Sequence, residues 1–299
     1  MFKTAFFVSS TNRDTILLKE EKVKAFRKII SPKYKIQNPE TENKNVVTRD
    51  ELATKILDSR RGGEVLEIGP LNRPLINGEF MRYFDILATS DLRSRAASEG
   101  LDSNTVPEIH YWHPNGSLAE VPDRFRNIVS SHCLEHQPDL IKHLNEVSNL
   151  LIDNESRYWV IIPDKRYCFD ALIPESSIIE IVRASLEMRI SPTLFKVIEH
   201  RALTTHNDSI RHWLGDHGEN TIDLKLKWER AVNEFESAQG NYIDVHCWQF
   251  TPESFVSTIQ SLLALHLIEF ELEEIFSTPV NSLEFCAVLK KVNSSSMQA

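Results

Sequence analysis

The run Glu64-Val65-Leu66-Glu67-Ile68-Gly69-Pro70-Leu71-Asn72-Arg73-Pro74 decides how the rest of the chain is read. Gly62 and Gly63 end the segment before it, Val65 to Ile68 is a short apolar stretch around one carboxylate, Glu67, and Gly69-Pro70 stops it. A buried strand that ends at a glycine turn is where a doubly wound sheet places a ligand, outside the carboxyl ends of its strands. Without a Cβ, Gly69 lets the backbone approach that ligand closely. The plainer alternative is a strand with an ordinary Gly-Pro turn, since short glycine motifs recur without any ligand.

Upstream, Thr48-Arg49-Asp50-Glu51 has the pattern of a capping box, which opens a helix from Glu51 to about Ser59. Downstream, Phe80 to Phe84 reads as a second strand closed by Asp85. In a βαβ unit an acid about 20 residues on accepts ribose hydroxyls, and Asp85 stands 18 positions after Glu67; a strand-end turn former is the alternative. Asp91 is close by, but Asp91-Leu92-Arg93 reads as a helix start. Glu108–Trp112, Phe125–Ser131 and Tyr158–Ile162 follow as further strands. Asp139 to Leu151 has Leu140, Leu144, Val147 and Leu151 on one helical face. Strands alternating with helices make a mainly parallel sheet. Thr251-Pro252 starts a helix to about Leu265, and Phe270–Phe276 and Leu283–Leu289 are spaced to pair antiparallel. The expected fold is therefore α/β, doubly wound, with a mainly parallel seven-stranded sheet, a C-terminal antiparallel hairpin and a mostly helical insertion after the fifth strand.

That insertion, about 164–245, is too long for a simple connection and is rich in His, Arg and Trp. It divides a domain spanning 49–293. Residues 1–48 form an N-terminal appendage with a basic amphipathic helix at Ile16–Ile30, and 294–299 form a disordered tail. The chain has 299 residues, a net charge of −9, 41% hydrophobic and 26% charged residues. The acidic balance argues against nucleic-acid binding through a generic basic surface. No apolar run approaches the roughly 20 residues of a membrane span. Four separated cysteines, Cys133, Cys168, Cys247 and Cys286, form no CxxC pair, so reduced thiols and a cytoplasmic location are expected.

The order of five parallel-type strands, a helix and a hairpin resembles the class I S-adenosylmethionine-dependent methyltransferases. Val65-Leu66-Glu67-Ile68-Gly69-Pro70 matches the first motif of that family in a variant form, and Asp85 matches the acid after its second strand. Ser130-Ser131-His132-Cys133-Leu134-Glu135-His136 is similar to the S-x-x-x-L-E-H segment after its fourth strand. Pro163-Asp164-Lys165-Arg166-Tyr167-Cys168-Phe169-Asp170 and Val245-His246-Cys247-Trp248-Gln249-Phe250-Thr251-Pro252 resemble a bacterial, type-11-like branch associated with saccharide and polysaccharide assembly. The resemblance covers residues 50 to 290 and implies S-adenosylmethionine as cofactor. It places Glu67, Gly69, Pro70, Asn72, Asp85, Ser131 and His132 on the cofactor side. Two departures stand out. Pro70 and Asn72 occupy later glycine positions of the opening turn. His113-Pro114-Asn115-Gly116 replaces the acid after the third strand, which leaves adenine contacts to backbone groups or to Ser117 and Leu118.

A methyl transferred to a hydroxyl calls for a positioned base. His132, His136 and His246 are the candidate catalytic residues, and Glu135 reads equally as a helix-start carboxylate. Tyr167, His206 and His246 are the candidate contacts to a small-molecule or saccharide acceptor. His200, His206, His212 and His217, with Asp208 and Asp216, show no diagnostic ligand spacing, so no metal site is assigned. Self-association is left open. Two other functions remain: a nicotinamide-dependent sugar oxidoreductase, against which the missing G-x-G-x-x-G run and the terminal hairpin argue, and a catalytically silent binding module in an assembly complex.

Overall fold

The computed structural model describes residues 45–219 and 224–292. The basic helix expected at 16–30 and the tail at 294–299 lie outside the described residues. The elements are α1 (Arg49–Ser59), β1 (Val65–Ile68), β2 (Met81–Asp85), α2 (Thr89–Ser98), β3 (Tyr111–Trp112), β4 (Asn127–Ser131), α3 (Leu140–Leu150) and β5 (Arg157–Pro163). They continue with α4 (Ile178–Leu186), α5 (Leu194–Leu203), α6 (Ser209–Trp213), α7 (Leu224–Ala238), α8 (Pro252–Ala264), β6 (Phe270–Phe276) and β7 (Glu284–Lys291).

The strands form one sheet in the order β3-β2-β1-β4-β5-β7-β6. β1 pairs in parallel with β2 and β4, whereas β7 lies antiparallel between β5 and β6. This is the doubly wound sheet with a C-terminal hairpin expected from the sequence. Successive strand residues point to opposite faces, and the core divides accordingly. Leu66, Ile68, Ile128, Tyr158 and Val160 pack under α3, α4 and α8 on one face. Val65, Val129, Trp159 and Ile161 pack with Leu52 and Ile56 of α1 and Leu92 and Ala96 of α2 on the other. All four residues of β1 are buried, which is why its sequence is an unbroken apolar run apart from Glu67.

Side-chain caps fix where the helices begin. Thr48 and Glu51 complete the expected capping box, Asp139 accepts from the Lys142 N–H at the start of α3, and Thr251 caps α8 with Pro252 at its first position. One strand is shorter than its sequence suggests. Only Tyr111 and Trp112 pair with β2, at an edge of the sheet between Pro107 and Pro114, neither of which can donate a ladder hydrogen bond. The helices α4 to α7 occupy the insertion after β5. Within it, Val197, Ile198 and Ala202 pack with Ala231, Ile243 and Val245 in a small core of their own.

Candidate active site

From β1 the chain winds to β2 and β3 on one side, and β4 and β5 lie on the other. The reversal leaves a crevice outside the carboxyl ends of β1, β2 and β4. A cleft of about 210 Å³ lies there, lined by Gly69, Asp85, Gly116, His132, His136 and Asp244 among others. A shallower depression of about 600 Å³ beside α8, lined by Arg166, Glu175 and Thr251, shares no residue with it.

Gly69 has φ +71°, in the left-handed region, and a Cβ there would stand 3.4 Å from Cys133. Its N–H donates to the Phe84 carbonyl at 2.9 Å, which ties the turn after β1 to the end of β2. Asp85 is 7% exposed at the cleft wall, and its Oδ1 accepts from the Leu87 N–H. Burial raises its pKa, and the Leu87 and Ile86 N–H groups work against the rise. The loop after β3 contributes Asn115 and Gly116 to the cleft.

His132 follows β4 with φ +50°, a left-handed conformation that costs a non-glycine residue energy and collects at functional sites. Its Nε2 lies 2.6 Å from Glu284 Oε2. Arg49 donates to both oxygens of the same carboxylate. Burial alone would raise the Glu284 pKa, but the hydrogen bonds from His132 and Arg49 outweigh it and hold Glu284 at about 2.

Next comes a 3-10 turn, Leu134–His136, rather than the start of a long helix. The Glu135 carbonyl accepts from the N–H groups of Cys247 and Trp248 at 2.7 and 3.1 Å, so the segment after the insertion folds over this turn and brings His246 with it. The Glu135 side chain is 0% exposed, and neither of its carboxylate oxygens has a hydrogen-bond partner. Instead Oε1 lies 3.8 Å from each of three imidazole nitrogens: Nδ1 of His132, Nε2 of His136 and Nε2 of His246. Every one of these rings has a second carboxylate on its other nitrogen. His132 has Glu284; His136 Nδ1 stands 3.0 Å from Asp244 Oδ1, an ion-pair contact outside hydrogen-bond alignment; His246 Nδ1 is 2.6 Å from Asp170 Oδ2.

The surroundings set the protonation of these groups. Burial, then the neighbouring His136, pushes His246 down to about 3. Burial works to lower the His136 pKa, but its contact with Asp244 and the charge of Glu135 outweigh this and raise it. Burial pushes Asp170 up to about 6 against the pull of His200 and His136. Asp244 also meets Arg95 of α2 and accepts from the Tyr242 hydroxyl, joining the insertion to α2.

The expected site residues divide by place. Gly69, Asp85, His132 and His136 line the cleft. His246 stands behind it, buried, against Glu135. Glu67 is 1% exposed and turns into the loop, where Oε1 accepts from the Leu75 N–H; burial raises its pKa to about 7. Pro70 and Asn72 continue that loop, with the Asn72 carbonyl accepting from Thr105. Ser131 accepts from Arg49. Ser117 Oγ and the Leu118 N–H both donate to Glu146 of α3, and the cleft is lined two residues earlier, by Asn115 and Gly116. Tyr167 stacks on Trp213 with ring centroids 3.9 Å apart. His206 stacks on His212, which meets His217; none of the three lines the cleft.

No known family model matches the sequence, and no curated protein matches it. Among solved structures, a S-adenosylmethionine-dependent methyltransferase from Clostridium acetobutylicum is 10% identical, with 92% of this chain and 100% of that one covered at a TM-score of 0.41. A protein from Rhodobacter sphaeroides bearing the name of Zn-dependent alcohol dehydrogenases is 13% identical over 82% and 90%, at 0.42. The magnesium protoporphyrin IX methyltransferase of Synechocystis, crystallised with SAH, is 8% identical over 94% and 100%, at 0.36. At these scores the likenesses add nothing to the topology already described.

Four residues beyond the expected set belong to this arrangement: Glu135, Asp170, Asp244 and Glu284. Glu135 carried a usable signal. His132-x-x-Glu135-His136 is a spacing in which some zinc enzymes set their ligands, although on a helix rather than a 3-10 turn. Asp170 carried none, because only the tertiary fold brings it to His246.

Proposed function

We propose that this chain is a S-adenosylmethionine-dependent methyltransferase that methylates an oxygen of a saccharide or glycan precursor in the cytoplasm. One observation supports it above others. The cleft at the switch point joins a close-approach glycine, Gly69, and a strand-end carboxylate, Asp85, to a histidine-carboxylate pair, His132 and Glu284. The cradle fits the cofactor. Gly69 leaves open the backbone that a Cβ would narrow, Asp85 presents a carboxylate to a ribose diol, and Phe84, Ile86 and Leu92 give the wall an apolar side. When bound, the cofactor supplies a sulfonium methyl to a nucleophilic oxygen.

The protein's own part is orientation and proton removal. Orientation of reactants contributes up to roughly 7–11 kcal/mol in favourable intramolecular cases. With its proton on Nε2 and donated to the anionic Glu284, His132 keeps an unprotonated Nδ1 to take the acceptor hydroxyl proton. The insertion supplies Ile190, Tyr242 and Asp244 to the opposite wall, where an acceptor is gripped; Tyr167 and His206 are assigned to the outer part of that acceptor path. The four free thiols support the cytoplasmic assignment.

The test is twofold. Charge-assisted hydrogen bonds to a ribose diol contribute roughly 1.5–3 kcal/mol, so Asp85→Ala is expected to weaken S-adenosylmethionine at least tenfold by calorimetry. Labelled methyl from S-adenosylmethionine is expected to reach nucleotide sugars or oligosaccharides, and His132→Ala to slow that turnover about a hundredfold or more. Unchanged affinity in a folded Asp85→Ala variant removes Asp85 from the site. Methylation confined to non-sugar acceptors removes the saccharide reading.

A further inference from the structure

We propose that Glu135, His136 and His246 bind a divalent first-row metal cation, zinc foremost, at the inner wall of the cleft. Their ligand atoms lie within 4.8 Å of one another. Glu135 Oε1 is 3.8 Å from Nε2 of both histidines. Two metal–ligand bonds of about 2.1 Å span at most about 4.2 Å, so both Glu135–histidine pairs are already within reach of one cation, and the two imidazole nitrogens close on it by a turn of their rings.

Three features set this group apart from a chance cluster. The first is Glu135, which is fully buried with both carboxylate oxygens lacking a hydrogen bond. A buried carboxylate without hydrogen bonds is costly, and a dication bonded to it removes that cost. The second is the outer shell. Asp170 lies 2.6 Å from His246 Nδ1 and Asp244 lies 3.0 Å from His136 Nδ1. Carboxylates on the far nitrogens orient metal-binding imidazoles and aim Nε2 at the ion. The third is the direction of the opening. Three protein ligands leave a zinc ion a free position, and His136 lines the cleft, so that position faces the space where an acceptor is held. Two imidazoles and one carboxylate suit zinc, cobalt, nickel or iron better than magnesium or calcium.

The role that follows rests on the methyltransferase reading. A hydroxyl oxygen bound at the free position loses its proton more readily, and His132 Nδ1, itself 3.8 Å from Glu135 Oε1, is placed to take it. The oxygen then attacks the sulfonium methyl, the carbon–sulfur bond breaks, and the electron pair stays on sulfur as the thioether.

The experiment is a metal titration without S-adenosylmethionine, so it reports on the site whether or not the methyltransferase reading holds. Chelator-stripped full-length protein is dialysed against Zn2+, and in parallel titrated with Co2+ and followed by visible absorption. One Zn2+ per chain is expected, together with Co2+ bands of a mixed nitrogen and oxygen site. Glu135→Gln and His246→Ala are expected to weaken uptake at least tenfold. Asp170→Asn, a change at a positioning residue, is expected to weaken it by about 10–100-fold and to shift the Co2+ bands. Should those variants fail to fold, the wild-type chain still decides the matter, since Co2+ must then shift the ring protons of His136 and His246. Lack of uptake by the wild-type chain, uptake unaltered in folded variants, or paramagnetic shifts confined to His206, His212 and His217 would each overturn the proposal.

Discussion

At the scale of single residues, the site depends on local backbone and on buried charge. Gly69 adopts φ +71° with Cys133 at 3.4 Å from any added Cβ. A left-handed conformation costs an L-residue roughly 1–2 kcal/mol, and valine also adds branched bulk beside Cys133. Gly69→Val is therefore expected to lower stability by about that amount and to abolish S-adenosylmethionine binding in the chain that still folds; circular dichroism and calorimetry read the two effects separately. Glu67 makes a second, independent expectation. Burial lifts its pKa from an ordinary 4.5 to about 7. A carboxyl raised on folding contributes stability that is complete below its unfolded pKa and is lost as pH rises through the folded one. Wild-type stability should thus fall between about pH 4.5 and 7, whereas Glu67→Gln, which keeps the acceptor for Leu75, should lack that component. Urea denaturation across this window checks it, and a mutant-to-wild-type difference that stays constant with pH would contradict it. Gly69 and Asp85 were legible in the sequence because a turn and a strand end are local features. The spacing of Glu135 beside His132 and His136 was visible, but its buried setting was not, since that comes from His246 and the backbone of Cys247 and Trp248, which reach it only through the folded insertion.

At the scale of elements, the sequence was read most accurately where one residue starts a helix or an apolar run makes a strand. Asp139 and Thr251 cap α3 and α8 as their types suggest, and β6 spans Phe270–Phe276 as its pattern implied. Thr251→Ala removes a cap oxygen that also donates to Glu175. Loss of such a cap typically costs ~1 kcal/mol, so the urea midpoint should fall correspondingly, with Thr251→Ser restoring most of it. A midpoint unchanged by alanine would show that α8 is held by packing alone. The reading was weakest where tertiary partners intervene. Ser117 and Leu118 follow the third strand as an adenine-contacting pair would, yet Glu146 of α3 takes both. His143 lies on the inner face of α3, where burial pushes its pKa down to about 3 and Tyr158 hydrogen-bonds it. It is a core histidine, in contrast to those gathered at Glu135.

At the scale of the whole molecule, the protein is a sheet with an insertion that reaches the crevice outside the carboxyl ends of β1, β2 and β4. The length and composition of residues 164–245 marked an insertion expected to cover the carboxyl ends of the strands, but not which of its residues reach the cleft. It reaches the cleft through Ile190, Tyr242 and Asp244, and the Asp244 ion pairs with Arg95 and His136 fasten it there. Its own core is small beside those flanking the sheet, and regions with few buried contacts open at lower free energy than a central sheet. Amides of α5 and α7 should therefore exchange with solvent faster than those of β4 and β5, and Arg95→Ala should speed the former without changing the latter. Equal protection throughout would show that the insertion opens only with the whole domain. The central claim, that the crevice outside β1, β2 and β4 is a S-adenosylmethionine site, is tested most directly by titrating the full-length protein in a calorimeter with S-adenosylmethionine and, separately, with NAD. Saturation by S-adenosylmethionine at one equivalent per chain, with no binding heat from NAD, is the expected result; binding of NAD alone, or of neither, would contradict it.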